Sequence, residues 1–164
     1  MSIQKVQILL ECFLSSVDLG KNRKKMGITY AEIELISGDD VALHRRGYIP
    51  EDQIKSMKVK ALVDSGASLL IITEYIKNQL NLLKIDEQQA ELADGSVMDV
   101  EVVGPVEIRF ENRKAIVSAM VLPNSNVLLL GAIPMQSMDV LIDLKQENLI
   151  VNPKSPDTAR MFLK

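Results

Sequence analysis

Between Ala61 and Ile72 an acid, a serine and a glycine interrupt an otherwise apolar stretch. Ala61-Leu62-Val63 runs into Asp64-Ser65-Gly66, and Ala67-Ser68-Leu69-Leu70-Ile71-Ile72 follows at once. The pattern predicts a buried strand over Val59–Val63, a tight turn, and a second short strand ending at Ile71 or Ile72. A carboxylate set among hydrophobic strands loses water and needs hydrogen bonds or a partner to offset that loss. The acid is therefore expected to perform a task. Apolar residues on both sides predict a turn held away from the open surface, and Asp-Ser-Gly occurs once in the chain.

The surrounding sequence is β in texture. Tyr30, Glu32, Glu34 and Ile36 alternate with Ala31, Ile33 and Leu35, and Ser37-Gly38-Asp39-Asp40 precedes Val41-Ala42-Leu43, which predicts a hairpin over Ile28–Ile49. Thr73–Leu80 reads as a short helix with Thr73 as its N-cap, closed by Asn81-Leu82. Glu91-Leu92-Ala93, Asp94-Gly95 and Ser96-Val97-Met98 form a strand, a two-residue turn and a strand that continues through Val103. Val106–Phe110 and Ala115–Leu122 pair across Glu111–Lys114. Val127–Leu130 is a buried strand stopping at Gly131, and Ile133–Met138 forms one helical turn with Pro134 early in it. Val140–Leu144 pairs with Asn148–Val151, and the polar segment from Pro153 to Lys164 is expected to fray. Short strands near every tenth residue, with one or two short helices, predict a mostly β fold, a small closed barrel or sandwich.

Residues 3–18 differ. Ile3, Val6, Leu10, Phe13, Leu14 and Val17 recur at helical spacing, which predicts an amphipathic helix ended by Gly20 and the basic cluster through Lys25. The expected organisation is an N-terminal extension over 1–25, one domain over 26–153 and a polar tail over 154–164. The extension could be a docking helix, a pro-segment, or a stretch from an upstream start codon.

Composition narrows the chemistry. With 164 residues, a net charge of −3 and an unremarkable 47% of hydrophobic residues, the chain is expected to form one globular domain with a real core. The mild acidity argues against a nucleic-acid-binding surface. One cysteine, Cys12, excludes an internal disulfide, and one histidine, His44, makes a His-based zinc cluster or a Ser-His-Asp site implausible. His44 is read as a strand or turn residue. No apolar run approaches the length of a membrane span, and the N-terminus lacks signal-peptide features, so a cytoplasmic protein is expected. No glycine-rich phosphate loop or metal-ligand cluster appears, so no metal and no cofactor are expected. The other acids, including Asp139 and Asp143 on either side of a strand, gain no comparable context.

The run Leu62-Val63-Asp64-Ser65-Gly66-Ala67-Ser68 resembles the apolar-apolar-Asp-Thr/Ser-Gly-Ala-Ser signature of the retropepsin-type aspartic proteases. Val127-Leu128-Leu129-Leu130-Gly131 resembles that family's second apolar-Gly element, and Ala93-Asp94-Gly95 falls where such domains carry a flap hairpin. The likeness extends over residues 28–152 in element order, and is nearest to the single-domain, retroviral-like proteases of cellular organisms. It implies the retropepsin barrel and an aspartic endopeptidase in which Asp64 is catalytic. A single chain holds one such acid where the chemistry needs two, so a homodimer acting on a protein or peptide substrate is implied. Ser65 would bond across the dimer axis, and Gly66 would hold the carboxylate through its N–H. Ala67 would keep the site floor small, and Ser68 would either support the carboxylate or close a local turn. Leu129, Leu130 and Gly131 would pack beneath the loop. The flap departs from the viral pattern in lacking a glycine-rich tip. Two rival readings are a catalytically silent domain of the same fold, used for peptide binding or dimerisation, and a structural barrel in which Asp-Ser-Gly is a coincidental turn.

Overall fold

The computed structural model describes residues 28–91 and 95–163; the amphipathic segment expected over residues 3–18 lies outside them, as does most of the expected flap tip. Strand β1 (Thr29–Ser37) leads into helix α1 (Gly38–Arg45), a 3-10 turn (Glu51–Gln53) and β2 (Ser56–Val63). After β3 (Leu70–Thr73) come α2 (Glu74–Gln79), β4 (Lys84–Glu91), β5 (Val97–Phe110) and β6 (Arg113–Leu122). Next are β7 (Leu129–Leu130), α3 (Ala132–Met138) and the hairpin of β8 (Val140–Asp143) with β9 (Asn148–Val151).

The fold is mostly β. One sheet runs in the order β1-β2-β7-β3-β6-β5-β4, and β1 also pairs with β5, so six of its strands close a ring of pairings. The 14-residue β5 makes this possible. Its first half pairs with β4 and its second half with β1, while β6 runs along the opposite edge with a register shift between Val103 and Val106.

Alternation in β1 sets its register against β2. Ala31, Ile33 and Leu35 turn inward and are buried, while outward-facing residues pair across the strands as Glu34 with Lys58, Glu32 with Lys60 and Tyr30 with Leu62. Opposite charges placed face to face favour this register, and a one-residue slip would bury them. The Lys60 ammonium also lies 5.1 Å from the centre of the Tyr30 ring. Strands β3 and β7 are buried on both faces, so their apolar residues divide between two clusters. Leu70, Ile72 and Leu130 join the main core with Ile33, Leu35, Val103, Ile108 and Met138. Ile71 and Leu129 join a smaller cluster with Ala67, Ala90, Val100, Met120 and Leu122.

The expected hairpin over Ile28–Ile49 is half right. Its first arm is β1, but Val41-Ala42-Leu43 belong to α1 and pair with nothing. The Ser37 hydroxyl accepts the Asp40 N–H at 3.3 Å, Asp39 and Asp40 occupy the first turn, and His44 and Arg45 the last, so capping and the helix dipole both favour a helix there. His44 is accordingly a helix residue, with Nδ1 3.1 Å from the Ile49 carbonyl oxygen.

The chain does not fray after Pro153. Asp139, in the left-handed region at φ 53, accepts from the Asn152 amide at 2.9 Å, the Ser155 hydroxyl at 2.5 Å and the Arg160 N–H at 2.9 Å. The buried Arg113 guanidinium donates to the Ser155 carbonyl, and Asn112 to that of Pro156. Phe162 and Leu163 beyond it are almost fully exposed.

These donors, the Ser155 hydroxyl first, then Asn152 and Arg160, with the Arg113 charge adding, pull the Asp139 carboxyl from 3.8 down to about 2. A depressed folded-state pKa gives stability that is complete above about pH 4 and lost as pH falls through about 2. Melting temperatures followed between pH 5 and pH 2 are therefore expected to drop more steeply for the wild type than for Asp139→Asn. Parallel curves would contradict this assignment.

Candidate active site

Strand β2 carries Asp64 to the rim of the fold. The Leu62 N–H donates to the Leu128 carbonyl at 2.9 Å and the Asp64 N–H to that of Leu130 at 3.0 Å, which ties the strand to β7 up to and including the acid. Beyond Asp64 the chain turns back on itself. Asp64 Oδ1 accepts the Gly66 N–H at 2.8 Å, and its carbonyl accepts the Ala67 N–H at 3.2 Å. The side chain thus fixes its own turn, as aspartates commonly do, and the carboxylate orientation is set by backbone.

The second support comes from the chain that follows β7. Gly131 is the N-cap residue of α3 but offers no side chain to cap it. The first N–H groups of a helix need partners from outside, and here the loop after Asp64 provides them. Ala132 donates to the Ala67 carbonyl at 2.7 Å and Ile133 to that of Ser68 at 3.0 Å. The helix start and the Asp64 loop are therefore one bonded unit. Leu129 and Leu130 are buried on the strand just before it, and Ala67 is buried in the smaller apolar cluster with Leu129.

The turn is not held away from the surface as its flanks predict. Asp64 is half-buried, and Ser65 and Gly66 are exposed. The flanking apolar residues lie on β2 and β3, which run inward and leave only the turn at the rim. Among the described residues the Ser65 hydroxyl bonds to no other group in the chain, and Ser68, half-buried, sits where α3 meets the loop.

Ala93 and Asp94 lie outside the described residues; Gly95, exposed at φ 81, is described between β4 and β5. The half-buried Leu62, Leu69, Met98 and Val127, to which sequence reasoning gave no site role of their own, pack against the smaller cluster. Leu62 and Leu69 flank the Asp64 turn, whereas Met98 and Val127 come from distant segments that no local pattern joins to it. Among the described residues no three His, Cys, Asp or Glu side chains gather as a metal site, and no helix is long and apolar enough to cross a membrane.

A turn-borne aspartate at the end of one strand, braced by a glycine N–H and by a second apolar-Gly strand, defines a candidate acid-protease half-site. The family described as gag-polyprotein putative aspartyl protease matches residues 51–136, which hold Asp64, its loop, both arms of the β4–β5 hairpin and β7. That span is more than half of the chain, and the chain belongs to this retropepsin-like family. A comparison with curated proteins gave no match.

Proposed function

We propose that the chain is an aspartic endopeptidase that works as a homodimer, with one Asp64 from each subunit facing the other across a two-fold axis. On this reading the ring of strands is the closed barrel of the retropepsin fold. The observation that carries it is the exposed, backbone-braced Asp64-Ser65-Gly66 turn, which offers one oriented carboxylate at the rim of each chain. A C2 axis through that rim would bring two identical acids together and cover both turns.

Two carboxylates that close repel when both are charged, so one of the pair would carry a proton and the other would not. The ionised Asp64 takes a proton from a water molecule, and the oxygen attacks the peptide carbonyl carbon. The protonated Asp64 gives its proton to the carbonyl oxygen as the tetrahedral adduct forms. Collapse then breaks the C–N bond, with a proton passing to the leaving nitrogen. The Gly66 N–H holds each carboxylate in place throughout. An extended peptide would lie between the subunits and bond to the β4–β5 hairpins by strand addition. Leu62, Leu69, Met98 and Val127 would offer apolar seats for its side chains.

The test combines sedimentation with a peptide-library digest over a range of concentrations. Cleavage per chain is expected to rise with concentration and to level off where sedimentation reports a full dimer. Peptide binding without cleavage would support the silent-domain alternative, and full activity in a monomer would overturn the shared site.

A further inference from the structure

The β4–β5 hairpin leaves the sheet at one residue. Glu101 of β5 pairs with Val121 of β6 on one side and Glu87 of β4 on the other, whereas Val97–Val100 pair with β4 alone. Glu101 therefore marks the root of the projecting arm. At that root the Lys77 ammonium, from α2, lies 2.7 Å from both Glu101 carboxylate oxygens. Both side chains are about three-quarters buried, at 25% and 29% exposure, so this contact is less screened than an open surface pair.

The charge arrangement explains why a lysine is needed there. Glu101 and Glu87 stand directly opposite each other, and like charges so placed push two strands apart. Each has its own cation: Lys77 holds Glu101 and Lys84 holds Glu87. The Lys84 pKa is raised by its hydrogen bond to Glu87, with the charges of Glu101 and Asp99 acting the same way. Lys77 also sits on α2, which follows β3 directly, and β3 follows the Asp64 loop. One ion pair thus links the element after the catalytic turn to the root of the projecting hairpin.

We infer that Lys77 and Glu101 are positioning residues that set the β4–β5 hairpin relative to the Asp64 loop, whose Ala67 packs with Ala90 and Val100 of that hairpin, and so govern peptide affinity. This deepens, and rests on, the protease reading above. In the full-length chain, hydrogen exchange of the β4 and β5 amides at 86–90 and 97–100 is expected to quicken about threefold to tenfold in Lys77→Met, with β1–β2 amides unchanged. Glu101→Gln removes the repulsion along with the pair and is expected to have the smaller effect. The charge swap Lys77→Glu/Glu101→Lys is expected to restore protection. With a quenched fluorescent peptide chosen from the library digest, Lys77→Met is expected to raise KM by a similar factor and leave kcat within about twofold, because the hairpin binds substrate and transition state alike.

Unchanged hairpin exchange in Lys77→Met overturns the inference, as does a loss shared equally by β1–β2, or quickened exchange with an unaltered KM. A wild-type chain that exchanges as expected but cleaves no library peptide overturns the protease reading instead, and with it the role in affinity, while leaving the anchoring of the hairpin established.

Discussion

Asp64→Asn is expected to lower peptide hydrolysis by about ten-thousandfold or more while leaving melting temperature and dimerisation close to those of the wild type. One substitution removes both carboxylates of the shared site, so neither a general base nor a proton donor remains, and acid–base catalysis of this kind contributes about 10²–10⁴-fold. The fold has little reason to respond. Asparagine keeps the shape of aspartate, and its side-chain oxygen can still accept the Gly66 N–H that closes the turn. The acid's own N–H bond to Leu130 belongs to the backbone and is untouched. Library digests with both proteins, beside their melting curves, check the point; residual cleavage above about one per cent would remove Asp64 from the chemistry.

A mixing experiment separates a shared site from two independent ones. Wild-type chain diluted with an equal amount of Asp64→Asn, after exchange of subunits, places half of the wild-type chains in mixed dimers. Activity per wild-type chain is then expected to fall to about half, and further in proportion with more variant. Undiminished activity would mean that each chain works alone.

The turn that carries the candidate site was legible in the sequence because its signal is local. Asp64-Ser65-Gly66 between two apolar runs marks a strand end and a turn, and Thr73, read as an N-cap, accepts the Ile76 N–H at 3.2 Å. The helix α1 was misread although a local signal existed. Ser37-Gly38-Asp39-Asp40 is a capping pattern as well as a turn pattern, and the apolar Val41-Ala42-Leu43 tipped the reading towards a strand. Strand β4 carries no alternation, since Lys84–Glu91 is polar nearly throughout; it is a strand only because β5 supplies its partner. Such a charged edge also discourages unwanted pairing with other chains. Asp139 could not have been recognised at all. Its partners stand 13, 16 and 21 residues away, and the two from Ser155 and Arg160 exist only once the tail has folded back.

Gly131→Ala is expected to lower the melting temperature by roughly 2–12 °C and to impair activity beyond what the loss of folded protein explains. Its backbone, at φ −92 and ψ −175, suits any residue, so glycine is required here for space alone. A β-carbon would stand 2.7 Å from the Leu69 nitrogen and 2.8 Å from the Ser68 carbonyl carbon, and closer still to the Leu69 carbonyl oxygen. These are backbone atoms and cannot rotate away as a side-chain tip would. Overpacking of this kind costs about 1–3 kcal/mol, and a chain of this size loses about 2–4 °C per kcal/mol. Relief requires moving either the start of α3 or the segment at Ser68-Leu69. Because Ala132 and Ile133 donate to Ala67 and Ser68, either movement is passed to the turn that orients Asp64. Catalysis tolerates such displacement poorly, since about 1 Å of misplacement can cost a hundredfold. Melting and specific activity measured together test this coupling, with Ser137→Ala, at an exposed position on the same helix, as the control. If Gly131→Ala melted with the wild type, the close approach of Gly131 to the Asp64 loop would be wrong; if it lost stability but kept full activity per folded chain, the loop would not depend on α3.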